Sequence, residues 1–283
     1  MKTGIMMDTT GYGRYGDKKY QKLRELGYSC ADFSLSDTTK GVYHMTEQEA
    51  SSFLAKERKL AEEAGVTISQ VHGPWVVPKP ELTEEGRIKK FEDCKKSIRF
   101  AAMLGSKNWV IHSLMPYDND LGTEFVEKTY EFNLDFFGRL LKTAEEEDVT
   151  ICIENLPFPG FSISKADAVC RLVKNLNSKH AGMCIDTGHV ACFNEMSPGD
   201  VVRKFGTNIK VFHIHDTIPG HDLHMMPGFG IIDWQDFAMA LKETKFDGVF
   251  SLETLPPRKL PDEIFEEMSV SLSKIVKYIT ADL

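Results

Sequence analysis

The sequence predicts an α/β fold, a single-domain (β/α)8 barrel of parallel strands and surrounding helices. Short apolar runs alternate with amphipathic segments eight times along the chain. The length of 283 residues suits one such barrel, which needs about 250 residues. No linker, low-complexity tract or internal repeat divides the sequence, so residues 1–283 are expected to form one domain.

The eight apolar runs have strand lengths, and most are rich in β-branched and aromatic residues. They predict strands at residues 3–7, 28–33, 67–72, 108–112, 149–154, 181–186, 209–214 and 248–253. Amphipathic segments between them predict helices at residues 47–64, 84–104, 124–147, 165–176, 197–205, 233–242 and 262–279.

The connections are short after helices, as at residues 105–107, and long after strands. The long connections are residues 9–16, 73–82, 113–122, 155–164 and 214–232. Long loops on one face indicate a single functional mouth at the carboxyl ends of the strands. An open doubly wound sheet is the alternative, but no G-x-G-x-x-G follows the first strand.

The composition is that of an ordinary enzyme, with 42% hydrophobic and 27% charged residues and a net charge of -8. A negative net charge gives no overall electrostatic attraction to nucleic acid or acidic membranes. No apolar run reaches the roughly 18 residues of a membrane span, and the apolar stretch before Asp8 is shorter than we expect of a signal peptide. The six cysteines form no C-x-x-C pair, which favours reduced thiols. We expect a cytoplasmic protein.

Six of the predicted strands close on an acidic or imidazole side chain. These residues are His72, His112, Glu154, Asp186, His213 and Glu253. In a parallel barrel the carboxyl ends of all strands share one rim, where active sites are built. Three imidazoles and three carboxylates on one rim indicate a divalent metal site. Taken singly, His72 or His112 would more often be a hydrogen-bonded core histidine than a metal ligand.

Further donors cluster around the sixth and seventh strands. The segment I-D-T-G-H places His189 three residues after Asp186, as a ligand or as a residue that orients one. In V-F-H-I-H-D, His213 and His215 share one strand face, and we expect only one of them to be a primary ligand. Asp222 and His224 follow in a loop that could also be plain polar surface.

This set of motifs, I-E-N, I-D-T-G-H, H-I-H-D and P-G-F-G-I-I-D-W, resembles the xylose isomerase-like TIM barrel superfamily, specifically its sugar phosphate isomerase/epimerase branch. The resemblance implies a metal held by Glu154, Asp186, His213 and Glu253. His213 is preferred over His215 because the family's ligand histidine has an acid three residues on, here Asp216. It also implies proton abstraction beside a carbonyl, through an enediolate, with Glu154 and Glu253 as acid and base.

The resemblance further implies a small sugar substrate, with His189 and His215 on its hydroxyls and Trp75 available for stacking or for packing. The quartet suits Mn²⁺, Mg²⁺ or Co²⁺, and recruitment of the other histidines would favour Zn²⁺. We expect no nucleic-acid or membrane partner, and a homo-oligomer is one arrangement that the sequence allows.

The same superfamily contains the endonuclease IV group of abasic-site nucleases, with three zinc ions and nine ligands. This sequence resembles that ligand set as well, at His72, His112, Glu154, Asp186, His189, His213, Asp222, His224 and Glu253. Residues 219–230 lack the arginines that a nuclease would call for, which favours a sugar substrate. A related metal-dependent lyase or dehydratase and a catalytically silent barrel stay open as alternatives.

Overall fold

The structure, a computed structural model, describes residues 1–7, 11–75 and 79–281. Eight parallel strands form a nearly closed barrel with helices between them, in the order β7-β6-β5-β4-β3-β2-β1-β8. The strands are β1 (Lys2–Met7), β2 (Cys30–Ser34), β3 (Thr67–His72), β4 (Asn108–His112), β5 (Thr150–Glu154), β6 (Ala181–Asp186), β7 (Ile209–His213) and β8 (Val249–Leu252). The predicted fold class and all eight predicted strands are confirmed.

The helices are α1 (Lys19–Glu25), α2 (Glu47–Glu63), α3 (Glu84–Met103), α4 (Phe125–Glu146), α5 (Ala166–Leu176), α6 (Thr187–Phe193), α7 (Pro198–Phe205), α8 (Trp234–Glu243) and α9 (Asp262–Ile279). Seven of them match the predicted helices within two residues, whereas α1 and α6 were not predicted. Residues 9, 10 and 76–78, within two of the predicted loops, lie outside the described residues.

The strand register sets the height of each side chain at the mouth. In one pair, Met6 of β1 lies opposite Asp32 of β2. In another, His112 lies opposite Glu154, because β4 and β5 pair along their whole length. The strands end where the polar residues stand, since a buried carboxylate or imidazole needs partners that the apolar interior does not offer.

Contacts divide the chain into two compact units. The first unit comprises Met1–Phe33, Lys59–Ser69 and Ile185–Leu283, and the second comprises Ser34–Arg58 and Gln70–Cys184. An aromatic cluster of Phe212, Phe237 and Phe250 packs the core of the first unit. In the second, Phe91, Phe136 and Phe137 pack edge to face.

Among the described helices, none combines the length and apolarity that crossing a membrane requires. None of the six cysteines is joined in a disulfide, and Cys192 is the one that is more than slightly exposed.

Candidate metal centre

Three donor side chains of the first unit meet where their strands end. One donor atom from each of Asp186, His213 and Glu253 lies within 4.8 Å of the other two. Asp186 ends β6, His213 ends β7, and Glu253 directly follows β8. Asp186 and His213 are fully buried. Two carboxylates and one imidazole at this spacing are a donor set that fits a divalent cation.

Hydrogen bonds that involve backbone groups hold these residues in place. The amide of Ile214 donates to Ser251 O at 2.8 Å, and the amide of Glu253 donates to Ile214 O at 2.9 Å. This ladder fixes Glu253 beside the end of β7. Asp186 is fixed differently, since its Oδ1 accepts the His189 amide at 2.6 Å and caps the start of α6.

His213 lies between two carboxylates. Its Nε2 is 3.0 Å from Asp32 Oδ2, and its Nδ1 is 3.3 Å from Glu253 Oε2. A carboxylate only accepts hydrogen bonds, so each nitrogen faces an acceptor. A neutral imidazole carries one N–H and can satisfy only one of them. The other nitrogen keeps a lone pair beside a negative charge, as it would beside a shared cation.

A second group of donors lies nearby in the first unit. One donor atom from each of His189, His215, Asp222 and His224 lies within 4.8 Å of the others. Asp222 is the hub, with an oxygen 3.4 Å from His189 Nε2 and another 3.4 Å from His224 Nε2. His215 Nε2 lies 3.0 Å from Asp186 Oδ1 and 3.6 Å from Asp222 Oδ1. His215 therefore connects the two groups.

The tautomers of the second group favour a cation. His224 Nδ1 lies 2.8 Å from Glu253 O, and His215 Nδ1 lies 3.2 Å from Asp216 O. A carbonyl oxygen only accepts, so both Nδ1 atoms must carry the proton. In their neutral forms, both rings then present Nε2 lone pairs to carboxylate oxygens. That contact is repulsive unless a cation or a further proton lies between, and tethered imidazoles of this kind are typical of metal ligands.

In the second group, His224 holds an extra proton when no metal ion is bound. Burial alone would lower the pKa of His224, but its hydrogen bond to Asp222 and the charges of Glu253 and Asp186 raise that pKa to about 10. Burial would raise the pKa of Asp222, and hydrogen bonds from His189 and His224 hold it well below its usual range. The pair therefore stands as imidazolium and carboxylate at neutral pH, marking a place where positive charge is stabilised.

The loop of residues 214–232 is shaped by Asp216, which is fully buried. One of its carboxylate oxygens accepts the amides of Thr217 and Ile232, and the other accepts the Gly228 amide and the Trp234 indole N–H. A Cβ at Gly230 would overlap this carboxylate. The acid three residues after His213 is thus a structural anchor, and the loop it anchors carries Asp222 and His224.

The second unit contains a third group of donors. Glu154 Oε2 lies 3.1 Å from His112 Nε2 and 3.6 Å from His72 Nε2. His72 Nδ1 lies 2.9 Å from the carbonyl of Gly73, which again places the proton on Nδ1 and turns the Nε2 lone pair toward the carboxylate. Trp75 packs its ring edge to face on His112, with centroids 4.4 Å apart.

The predicted site residues are therefore gathered within each unit. The first unit joins Asp186, His213 and Glu253, and joins His189 and His215 to Asp222 and His224. The second unit joins His72, His112 and Glu154. The backbone amide of His189 donates to the Asp186 carboxylate that caps α6, and the His189 ring contacts Asp222. The place of Glu154 in the quartet and the predicted substrate contacts of His189, His215 and Trp75 stay predictions.

Sequence reasoning missed Asp32, which is 3% exposed within β2. The signal was available, because a carboxylate inside the apolar run of residues 28–33 is costly to bury without a partner. The run was interpreted as an ordinary core strand, and its partner, His213, is 181 positions away.

Two curated relatives are similar in sequence to part of this chain. An uncharacterised protein of Methanocaldococcus jannaschii is 29% identical over 189 residues, which cover 65% of this chain and 63% of that protein. The D-psicose 3-epimerase of Enterocloster bolteae is 24% identical over 248 residues, covering 83% of this chain and 76% of the epimerase. This chain thus spans less than two thirds of the archaeal relative.

Solved structures share the fold along nearly the whole chain. A D-tagatose 3-epimerase-like protein superposes with a TM-score of 0.78 at 23% identity, covering 99% of this chain and 97% of that one. The IolI protein with a bound zinc atom superposes with a TM-score of 0.75 at 18% identity, covering 99% and 98%. The family model described as xylose isomerase-like TIM barrel matches residues 20–273. The chain therefore belongs to the xylose isomerase-like TIM barrel family.

Proposed function

We propose that this protein is a divalent-metal-dependent isomerase or epimerase of sugars or sugar phosphates. The observation that carries the proposal is the trio of Asp186, His213 and Glu253, with donor atoms within 4.8 Å of one another. Support comes from the D-psicose 3-epimerase among its relatives and from the zinc-bound neighbour of the same fold.

We infer that Glu154 is the fourth ligand. It ends β5, and the register of β5 with β6 places it opposite Cys184, two residues before Asp186 along the strand. The carboxyl ends of barrel strands share one mouth, which supports a common site for the four residues. Three oxygen donors and one nitrogen suit Mn²⁺, Mg²⁺ or Co²⁺ more than Zn²⁺.

A bound divalent cation would stabilise negative charge on two adjacent substrate oxygens and hold the sugar by them. Glu154 and Glu253 then handle the proton. One carboxylate takes it from the carbon beside the carbonyl, and the electron pair of the broken C–H bond moves toward the carbonyl oxygen. Return of a proton to the opposite face of the same carbon inverts that centre. Return to the neighbouring carbon, with proton transfer between the oxygens, interconverts aldose and ketose.

The burial of these groups suits proton transfer. Glu154 is 1% exposed and the Glu253 side chain 13%, so few waters can exchange with the carboxylates during the reaction. Proton transfer by a positioned carboxylate typically contributes about 10²- to 10⁴-fold to the rate. Glu154→Gln and Glu253→Gln keep the size of the side chain and should each lose activity by such a factor.

The test is a panel of ketoses and aldoses incubated with the protein and Mn²⁺ in heavy water, followed by NMR. Deuterium uptake at one carbon with formation of an epimer or isomer supports the proposal. Exchange should vanish in Glu154→Gln and Glu253→Gln while the circular dichroism spectrum is unchanged. Full activity in either variant would refute the two-carboxylate scheme.

A second candidate is a zinc-dependent phosphoester hydrolase acting on abasic-site DNA, and the extra donors favour it. His72 and His112 meet Glu154 in the second unit, and His189, Asp222 and His224 meet in the first. A sugar epimerase with one ion does not need these groups as metal ligands. Zinc near three equivalents per chain, together with cleavage of abasic-site DNA, would replace the first proposal with this one.

The small-molecule assignment also sets the expected partners. We infer that no nucleic acid or membrane partner is needed, in keeping with the net charge of -8. A cytoplasmic location is proposed from the six cysteines, none of which is in a disulfide.

A further inference from the structure

Asp32 is a buried carboxylate in β2 that the proposed reaction does not use. It is 3% exposed, and its register position opposite Met6 sets it well inside the strand pair. Burying an ionised carboxylate costs several kcal/mol unless a partner compensates it. The partner is His213, whose Nε2 lies 3.0 Å from Asp32 Oδ2. Asp32 therefore acts on a proposed metal ligand.

The contact of Asp32 decides between the two tautomers of His213. With the proton on Nε2, His213 donates to Asp32 at 3.0 Å and leaves the Nδ1 lone pair toward Glu253. With the proton on Nδ1, the Nε2 lone pair would face the Asp32 carboxylate at the shorter of the two distances. In the first arrangement Asp32 accepts a hydrogen bond from His213. The Nδ1 lone pair of His213 then faces the lone pairs of the Glu253 carboxylate, so that one cation could bind both.

We propose that Asp32 is a positioning residue that holds His213 with its proton on Nε2, so that Nδ1 is available to a divalent cation shared with Glu253. The inference rests on the proposed function, because it takes His213 as a ligand. A carboxylate behind a ligand histidine fixes the orientation of the ring and raises its basicity, and loss of such a partner typically weakens metal binding by about 10- to 100-fold.

His213 differs in this respect from His215 and His224. His215 and His224 keep their proton on Nδ1 through backbone carbonyl oxygens, whereas Asp32 supplies a charged side chain. Backbone carbonyls cannot be substituted by mutagenesis, but Asp32 can. The tautomer of His213, unlike those of His215 and His224, thus depends on a side chain that can be substituted.

The variant Asp32→Asn tests the proposal, because it keeps the size of the side chain and removes the negative charge that favours a proton on Nε2. Zn²⁺ affinity is measured by competition with a fluorescent chelator, without any substrate. We expect about a 10- to 100-fold loss relative to the unsubstituted protein. Asp120→Asn is the matched control, since Asp120 is a fully buried carboxylate of the second unit that accepts the Ser162 amide at 2.7 Å. It should lose stability and keep the affinity.

A second measurement needs no variant. Long-range ¹H–¹⁵N spectra of the ¹⁵N-labelled, zinc-loaded protein report which nitrogen of His213 carries the proton. We expect protonated Nε2 and metal-bound Nδ1. A proton on Nδ1, or equal affinity in Asp32→Asn and the unsubstituted protein, overturns the role of Asp32. Absence of zinc, manganese and cobalt binding in the unsubstituted protein would instead contradict the proposed function. If Asp32→Asn does not fold, the spectrum alone decides.

Discussion

The imidazole rings of His215 and His224 stack with their centroids 4.2 Å apart and their planes at 17°. Both Nε2 atoms point at the same oxygen of Asp222, at 3.6 and 3.4 Å. Two parallel rings aimed at one carboxylate oxygen concentrate donors around a single point. Contacts between the Nδ1 atoms and backbone carbonyl oxygens hold both rings of the stack.

Added metal should stabilise the protein against heat. A cation that binds only the folded chain contributes about 2.7 kcal/mol when its concentration is 100 times the dissociation constant. Differential scanning calorimetry with Mn²⁺, Co²⁺ or Zn²⁺ should show a higher Tm, reversed by a chelator. In Asp186→Asn, whose amide is a poor ligand, the shift should be largely lost. An equal shift in that variant would place the ion elsewhere.

Gly188 should not tolerate a side chain. A Cβ at this position would overlap the imidazole of His215, which is fully buried and cannot move into solvent. Gly188→Ala should cost about 1–3 kcal/mol of unfolding free energy, as overpacking does, and should weaken metal binding by displacing His215. Urea denaturation and chelator competition measure the two effects.

The control for Gly188 is Gly138, an exposed residue inside α4. Among the described residues, no atom lies within 4 Å of a Cβ added there. Gly138→Ala should stabilise the helix by about 0.5–1 kcal/mol and leave metal binding unchanged. Similar stability changes in the two variants would contradict the packing argument at Gly188.

Asp216→Asn should loosen the loop of residues 214–232. The carboxylate accepts four N–H groups, two on each oxygen. An amide replaces one oxygen by a donor, so two N–H groups lose their acceptor, at about 1–3 kcal/mol each. We expect a lower Tm and faster chymotrypsin cleavage at Phe229, which is 66% exposed.

Asp233→Asn is the matched substitution in the same segment. Asp233 caps α8 by accepting the amides of Gln235 and Asp236 on one oxygen, and asparagine caps about as well. This variant should resist chymotrypsin like the unsubstituted protein. Equal cleavage of both variants would show that Asp216 does not hold the loop of residues 214–232 in its conformation.

Cys192 should react slowly with alkylating reagents at neutral pH. Burial, followed by the charges of Asp222 and Asp186, raises the pKa of its thiol to about 11. The reactive thiolate is therefore scarce at pH 8 and accumulates as the pH rises toward 11. Mass spectrometry after iodoacetamide treatment should show labelling that increases with pH over this range.

A cation bound at Asp186 offsets one of the negative charges that raise the Cys192 pKa, so zinc or manganese should accelerate the labelling. Cys192→Ser identifies the modified peptide. Reaction of Cys192 at pH 8 as fast as that of free cysteine would contradict the assigned surroundings.

Much of the fold and part of the site could be predicted from the sequence. Strand ends were predictable because apolar runs stop at polar residues, as at Glu154 and Asp186. The helix α6 was missed because its cap is the same Asp186 that was interpreted as a ligand, and no turn residue separates it from β6. The side chain of Asp186 performs both roles.

The grouping of His215, Asp222 and His224 depends on loop geometry that sequence spacing does not set. The loop folds back through the Asp216 carboxylate, whose four donors are spread from Thr217 to Trp234. Only this folding brings Asp222 Oδ1 within 3.6 Å of His215 Nε2. The sequence indicates that Asp32 needs a partner, but not that the partner is His213, because 181 positions separate the two residues.

The backbone tethers of His72, His215 and His224 have a consequence for the metal binding proposed above. The entropy of orienting these rings is lost when the chain folds, before any ion arrives. Binding of an ion would then require little reorientation of these rings, and its release would leave them in place. Under the proposed function, one metal could then replace another at these rings while the chain stays folded.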